Sequence, residues 1–203
     1  MTISAQDRER ISSAIHAAEA KTSGEIVCVL AQTSSDATAL PVFIAAVAAF
    51  ALPWLLVAFT AMTVHRMLTL QIVVFVVLGV LLCLPRVRVT LVPRAARRAI
   101  AHRVAMYQFA IRGIARKRDR TGILIFVSLS ERYARVIADE GIAARVPQAE
   151  WQGAVDALVA HMRDGRIADG FITAIDVCGN ELARHFPSTE TSRDELPDRI
   201  YLI

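Results

Sequence analysis

Asp139 and Glu140 stand side by side before Gly141, at one end of the alternating run Tyr133–Ala138, and Glu131 lies at its other end. Adjacent carboxylates beside a glycine suit a hard cation such as Ca2+ or Mg2+, which selects oxygen ligands. Ca2+ takes about six to eight oxygens, and two neighbouring acids supply too few while Glu131 lies a strand length away. Asp139, Glu140 and Glu131 are thus the candidate metal ligands, and solvated loop charges are the favoured reading of them. The five histidines, His16, His65, His102, His161 and His185, show no ligand spacing. Ser128 and Ser130 lack the glycine-rich elbow of a nucleophilic serine. Neither a P-loop nor a dinucleotide-binding glycine fingerprint occurs. Cys28, Cys83 and Cys178 form no CxxC pair and read as small hydrophobes in a reducing compartment. No catalytic residue and no cofactor-binding motif is assigned.

The strongest chemical feature is cationic. Residues 86–120 hold eleven arginines and lysines against one acid, Asp119. Arg86, Arg88, Arg94, Arg97 and Arg98 open this stretch and are expected to lie against anionic lipid headgroups, each basic residue near such a surface being worth roughly 1 kcal/mol. A docking face for an acidic protein is a second reading. Nucleic acid is the least favoured, because stacking aromatics are sparse.

Those arginines follow two apolar stretches, Val42–Val64 and Leu68–Leu84, separated by His65, Arg66 and Met67. Neither stretch carries a charge, and each is long enough to cross a hydrocarbon core of roughly 30 Å. Met1–Thr33 lacks the basic-then-apolar pattern of a signal peptide, so the first span is expected to be internal and retained. Basic residues beside a span stay on the cytoplasmic side. The expectation is an inner (plasma) membrane protein of bacterial type, with two spans, both termini cytoplasmic and a turn near Arg66 facing outward. Pro41 and Pro85 bracket the hairpin, and Pro53 should kink its first helix.

The rest must form one small domain. Ser4 and Asp7 suggest the N-terminal cap of a helix that reaches Lys21 and stops at Gly24. Glu25–Ala31 (EIVCVLA) and Ile123–Leu129 (ILIFVSL) read as buried strands covered on both faces. Tyr133–Ala138 should pair antiparallel with the second of these. Arg94–Arg118 reads as a helix with Ile100, Val104, Tyr107, Ile111 and Ile114 on its buried stripe. Gln148–Arg163 is expected to bury Trp151, Val155, Leu158 and Met162 and to stop at Gly165. A last helix, capped by Asp169, carries Phe171, Ile175, Cys178, Leu182 and Phe186. The basic helix joins two parallel strands as a crossover, and the hairpin is an insertion in its first loop. The organisation is 1–33 (first helix and strand), 41–85 (hairpin), 94–187 (remainder of the domain) and 188–203 (a polar tail whose apolar tip docks on it).

The stretches TGILIFVSLSERYARVIADEGIAARV and DGRIADGFITAIDVCGNELARHF, with the opening SAQDRERISSAIHAAEAKTSGEIVCVL, resemble the TPM domain family. The likeness runs over Ser4–Ala31 and Ala95–Phe186. It implies an α/β (α+β) fold, a small sheet with helices on both faces, here interrupted by the transmembrane hairpin. It also implies a choice of roles, because some relatives are associated with acid phosphatase activity and cation binding and others with accessory roles at membranes. Ala143 stands where the family commonly carries an acid. The favoured reading is therefore a non-enzymatic, membrane-anchored interaction or accessory module acting in assembly, quality control or regulation of a membrane complex. Its expected partners are the bilayer and a membrane protein, with no nucleic acid. The alternative is a divalent-cation-dependent phosphatase of the TPM type, with Ca2+ or Mg2+ at the acidic loops.

Overall fold

The computed structural model describes residues 3–33, 39–60, 62–84, 87, 93–114, 120–188 and 196–203. They divide into a domain, Met1–Ser34 with Ile100–Ile203, and a hairpin unit, Ser35–Ala99. In the domain, helix α1 (Ala5–Glu19) leads into strand β1 (Glu25–Ala31). After the hairpin come α4 (Arg94–Ile111), β2 (Gly122–Ser128), β3 (Tyr133–Ala138) and the short α5 (Glu140–Ala143). A 3-10 turn (Gln148–Trp151) then opens α6 (Gln152–Arg163), followed by α7 (Ile167–His185) and β4 (Ile200–Leu202).

The sheet order is β3-β2-β1-β4. β1 and β2 run parallel over seven residue pairs, Glu25 opposite Gly122 through Ala31 opposite Ser128, and β3 is antiparallel to β2. Alternate residues of the central strands enter opposite layers. Ile26, Cys28, Leu30, Ile123, Ile125 and Val127 pack with α1, α6 and α7. Val27, Val29, Ala31, Leu124 and Phe126 pack instead with Ala105 and Phe109 of α4. A strand apolar on both faces thus has helices on both faces, as its composition requires. Gly179 brings α7 against α1, since a β-carbon there would lie 2.8 Å from that of Ala18.

Several expectations need correction. The tail's apolar tip is a strand: Ile200 pairs with Cys28 and Leu202 with Leu30, so β4 makes β1 an interior strand. Three residues after a polar segment are too few to show a period, which hid the strand. Gly24 does not stop α1, which ends at Glu19 with Ala20 as its C-terminal cap. Gly24 instead admits Leu182, whose methyl carbon lies 3.1 Å from where a β-carbon would be. Asp169 sits inside the first turn of α7, whose cap position is Arg166. There an acid is favoured by the helix dipole without being the cap.

The buried face of α4 is Ala101, Ala105, Gln108 and Phe109, while Tyr107 and Ile111 are exposed. This is about a third of a turn from the expected stripe at 100° per residue. The strands already fill the layer with Val29, Leu124 and Phe126, so the small alanines approach the sheet and the bulkier residues turn outward. Residues 115–118 of the expected helix lie outside the described residues.

In the hairpin unit, α2 (Ala39–Phe59) and α3 (Val64–Cys83) pack against each other. Among the described residues Pro41, Ala45, Ala49 and Met67 are buried, and alanines one turn apart allow close helix approach. The connection lies at 60–63, so His65, Arg66 and Met67, expected to form it, occupy the first turn of α3. Threonines make the break: Thr60 donates its hydroxyl to Leu56 O at 2.6 Å, and Thr63 holds the extended cap position.

Candidate functional site

The acidic candidates sit at opposite ends of the β2–β3 hairpin. Ser128 pairs with Tyr133 at one end and Ile123 with Ala138 at the other, so about five residue steps of roughly 3.4 Å separate Glu131 from Asp139. Glu131 is buried in the β2–β3 turn, where Ser128 donates to one carboxylate oxygen and Thr33 to the other at 3.3 Å. The same turn is tied to β1 by the Ser130 hydroxyl, which donates to Gln32 O at 2.7 Å. Arg132 holds a positive φ of 49° there, which tightens the reversal.

Asp139 is buried and caps α5, its Oδ1 accepting from Glu140 N–H at 2.7 Å. Its Oδ2 is buried with no hydrogen-bond partner among the described residues. Glu140 points into solvent and pairs with Arg120. The three acids do not converge, and no group of three His, Cys, Asp or Glu among the described residues could hold a metal ion. One capping carboxylate and one exposed, ion-paired carboxylate do not make the oxygen cage of a hard cation. These residues do not fit the cation that the family resemblance implies.

Another carboxylate constellation escaped sequence reading because its members come from both ends of the chain. Glu19, at the end of α1, accepts from Ile26 N–H at 2.6 Å. Its side chain also meets Asp198, with Glu25 close by. Burial, more than these neighbours, pushes the Glu19 carboxyl up to about 9, against the opposing pull of the Ile26 amide. The carboxyl is therefore protonated at neutral pH. Asp198 is held by His16 Nδ1 at 3.0 Å and receives the Ser12 hydroxyl at its backbone carbonyl. Asp198 precedes β4 by two residues, so the constellation fastens the last strand to α1. Nothing within residues 1–33 alone could have revealed it.

Arg94, Arg97 and Arg98 lie in the first turns of α4; Arg86 and Arg88 lie outside the described residues. Arg112 and Arg199 stack on the Tyr201 ring, their guanidinium carbons 3.7 and 4.8 Å from its centroid. Cys28 and Cys178 are buried free thiols, pushed upward by burial, while Cys83 is half-buried in α3.

These features define a mixed α/β domain bearing two helices long and apolar enough to cross a membrane, Pro41–Phe59 and Val64–Cys83. Residues 85–181 match the family model described as the TPM domain. The NMR structure of BA42 protein from the psychrophilic bacterium Bizionia argentinensis is similar in fold, with a TM-score of 0.64. That similarity covers 100% of this chain and 97% of that one at 20% sequence identity. No protein of curated function matches the chain. The family match begins at residue 85, yet β1 is an interior strand, so the domain's sheet draws on sequence from before the hairpin.

Proposed function

We propose that this TPM domain is a membrane-anchored interaction module, serving the assembly, quality control or regulation of a membrane complex. The carrying observation is the hairpin's place inside the fold. α2 and α3 are inserted between two strands of one sheet, β1 and β2, so the domain is held at the bilayer by its own crossover. The hairpin exposes Phe50, Trp54 and Phe59 at 71%, 82% and 83%. Helices with such surfaces, whose one charge is Arg66 in the first turn of α3, belong in hydrocarbon rather than water. Arg94, Arg97 and Arg98, with Arg86 and Arg88, keep both termini cytoplasmic by the retention of positive charge. The location that follows is the inner membrane of a bacterium. A reporter enzyme inserted at Met62 should be active outside the membrane and one fused after Ile203 inside. The reverse pattern would reject this topology.

The module acts through a membrane-protein partner. In-membrane cross-linking followed by purification in mild detergent should give a reproducible stoichiometric complex. Recovery of the chain alone and monodisperse would overturn the interaction reading. Hydrolysis of a phosphomonoester by the purified chain, lost in Asp139→Ala or Glu140→Ala, would replace it with cation-dependent phosphatase chemistry.

A further inference from the structure

The face of α4 turned away from the sheet carries Met106, Tyr107, Ala110 and Ile111, with Arg103 the one charge among its exposed residues from Ile100 onward. Met106, Tyr107 and Ile111 are 45%, 63% and 52% exposed. Among the described residues, the domain's other exposed large apolar residues are Val177 and the C-terminal pair Leu202 and Ile203. An amphipathic helix normally turns its bulky side chains toward the core. Here Ala101, Ala105 and Phe109 face the sheet, and Met106, Tyr107 and Ile111 are left for something outside the domain.

We infer that this face rests on an anionic phospholipid surface, with Met106, Tyr107 and Ile111 in the headgroup–acyl boundary. Arg103 extends from their midst to the phosphates. The inference rests on the reading that α2 and α3 span the membrane. Charge complementarity favours lipid over a protein or a second copy. α4 has four arginines and no acid. Arg135 lies directly opposite Phe126 and so shares the sheet face that α4 covers. Tyr201, opposite Val29, brings Arg112 and Arg199 to that face as well. The acids gather on the other layer, with Glu150, Asp156, Asp164, Asp169, Asp176 and Glu181 on or beside α6 and α7. Basic flanks around an apolar stripe are the pattern of an interfacial helix. Continuity supplies the reach: ten residues, 84–93, separate the end of α3 from the start of α4, and ten residues extend at most about 35 Å.

The test uses the full chain in a Cys83→Ala background, reconstituted in vesicles of phosphatidylcholine alone or mixed with phosphatidylglycerol. An environment-sensitive dye is placed at Tyr107→Cys, at Ile111→Cys, or at Asp156→Cys on the opposite layer. With phosphatidylglycerol present, brominated acyl chains should quench the dyes at 107 and 111 roughly threefold more than the dye at 156. Added salt should reduce the difference. Equal quenching at all three sites, in a chain that resists alkaline extraction, overturns the inference and leaves the hairpin reading intact. A dye shielded from water yet unquenched by brominated chains reveals a protein cover, and that also overturns it. A chain extracted by alkali rejects the hairpin reading together with this one.

Discussion

Replacing Glu19 by Gln should remove most of the domain's pH dependence between pH 5.5 and 7.5. Glu19 is half-buried, and its carboxyl is raised from an ordinary value of 4.5 to about 9, first by burial and then by Asp198 and Glu25. A raised folded-state value means the native state holds one more proton than the unfolded chain between those limits. The resulting stability is fully present below pH 4.5, declines as pH rises and is gone above about pH 9. The slope cannot exceed about 1.4 kcal/mol per pH unit for one group, so two units are worth at most about 3 kcal/mol. That corresponds to a fall in Tm on the order of 10 °C for a domain of this size. Gln retains an oxygen for the Ile26 amide and offers an N–H to Asp198, whose buried Oδ1 has no other described partner. The His16–Asp198 contact is common to both proteins and cancels in their difference. Thermal unfolding of the full chain in detergent, followed by circular dichroism at pH 5.5, 6.5 and 7.5, measures the two slopes. Parallel slopes for wild type and Glu19→Gln would refute the protonated-carboxyl reading. Glu19→Ala, by contrast, strands the Ile26 N–H and should lose about 1–3 kcal/mol at every pH.

Packing makes a paired prediction about two helical glycines. Gly179→Ala would press its methyl against Ala18 and should cost about 1–3 kcal/mol. Gly153→Ala on α6 meets open space and should stabilise by about 0.5–1 kcal/mol through helix propensity. Chemical denaturation of both variants checks the pair, and equal effects would contradict it. Truncation after Arg199 removes β4 and opens the edge of β1. The truncated chain should aggregate, as an apolar strand edge does, and size-exclusion chromatography of the product tests this. Deleting Val42–Leu84 and bridging the gap with a short linker should leave a soluble domain with the α/β circular dichroism of the parent. Failure to fold would mean that the hairpin is more than an insertion.

The sequence revealed what its local chemistry determines and concealed what distant residues make together. β1 and β3 match their expected bounds because a nearly all-apolar run and an alternation each have one good structural solution. The orientation of α4 was only partly legible: of its expected stripe, Ile114 is buried and Val104 packs on the core, but Tyr107 and Ile111 face outward. Periodicity reports that a face exists and leaves open what covers it. β4 was hidden by its three-residue length. The acidic candidates are not the solvated loop charges expected: Glu131 and Asp139 are buried, Asp139 caps a helix that Glu140 opens, and Glu140 is paired with Arg120, so adjacency in sequence gave no convergence in space. The Glu19–Asp198 contact joins residues at opposite ends of the chain, beyond any motif search.

The hairpin's position also bears on how the domain assembles. Glu25 and Gly122 are sheet neighbours, and closing a chain loop of that length costs about 4 kcal/mol by a (3/2)RT ln n estimate, before the constant term. A preformed antiparallel α2–α3 pair brings its two outer ends together and roughly halves the effective loop, recovering only about 0.6 kcal/mol. The insertion therefore changes the domain's stability little in either direction, which is the physical reason to expect the deletion variant to fold. Its effect falls on order instead. β1 cannot be covered until α4 and β2 have followed the hairpin, and its far edge waits for β4 at the chain's end. A β1 that is apolar from Ile26 to Ala31 and left open in that interval is an aggregation hazard. Slowing hairpin insertion, by placing a charged residue in α2 as in Ala48→Arg, should therefore raise aggregation of the intact chain. The hairpin-deleted domain, which has no insertion step to wait for, should remain soluble under the same expression conditions. Equal aggregation of the two would reject this coupling.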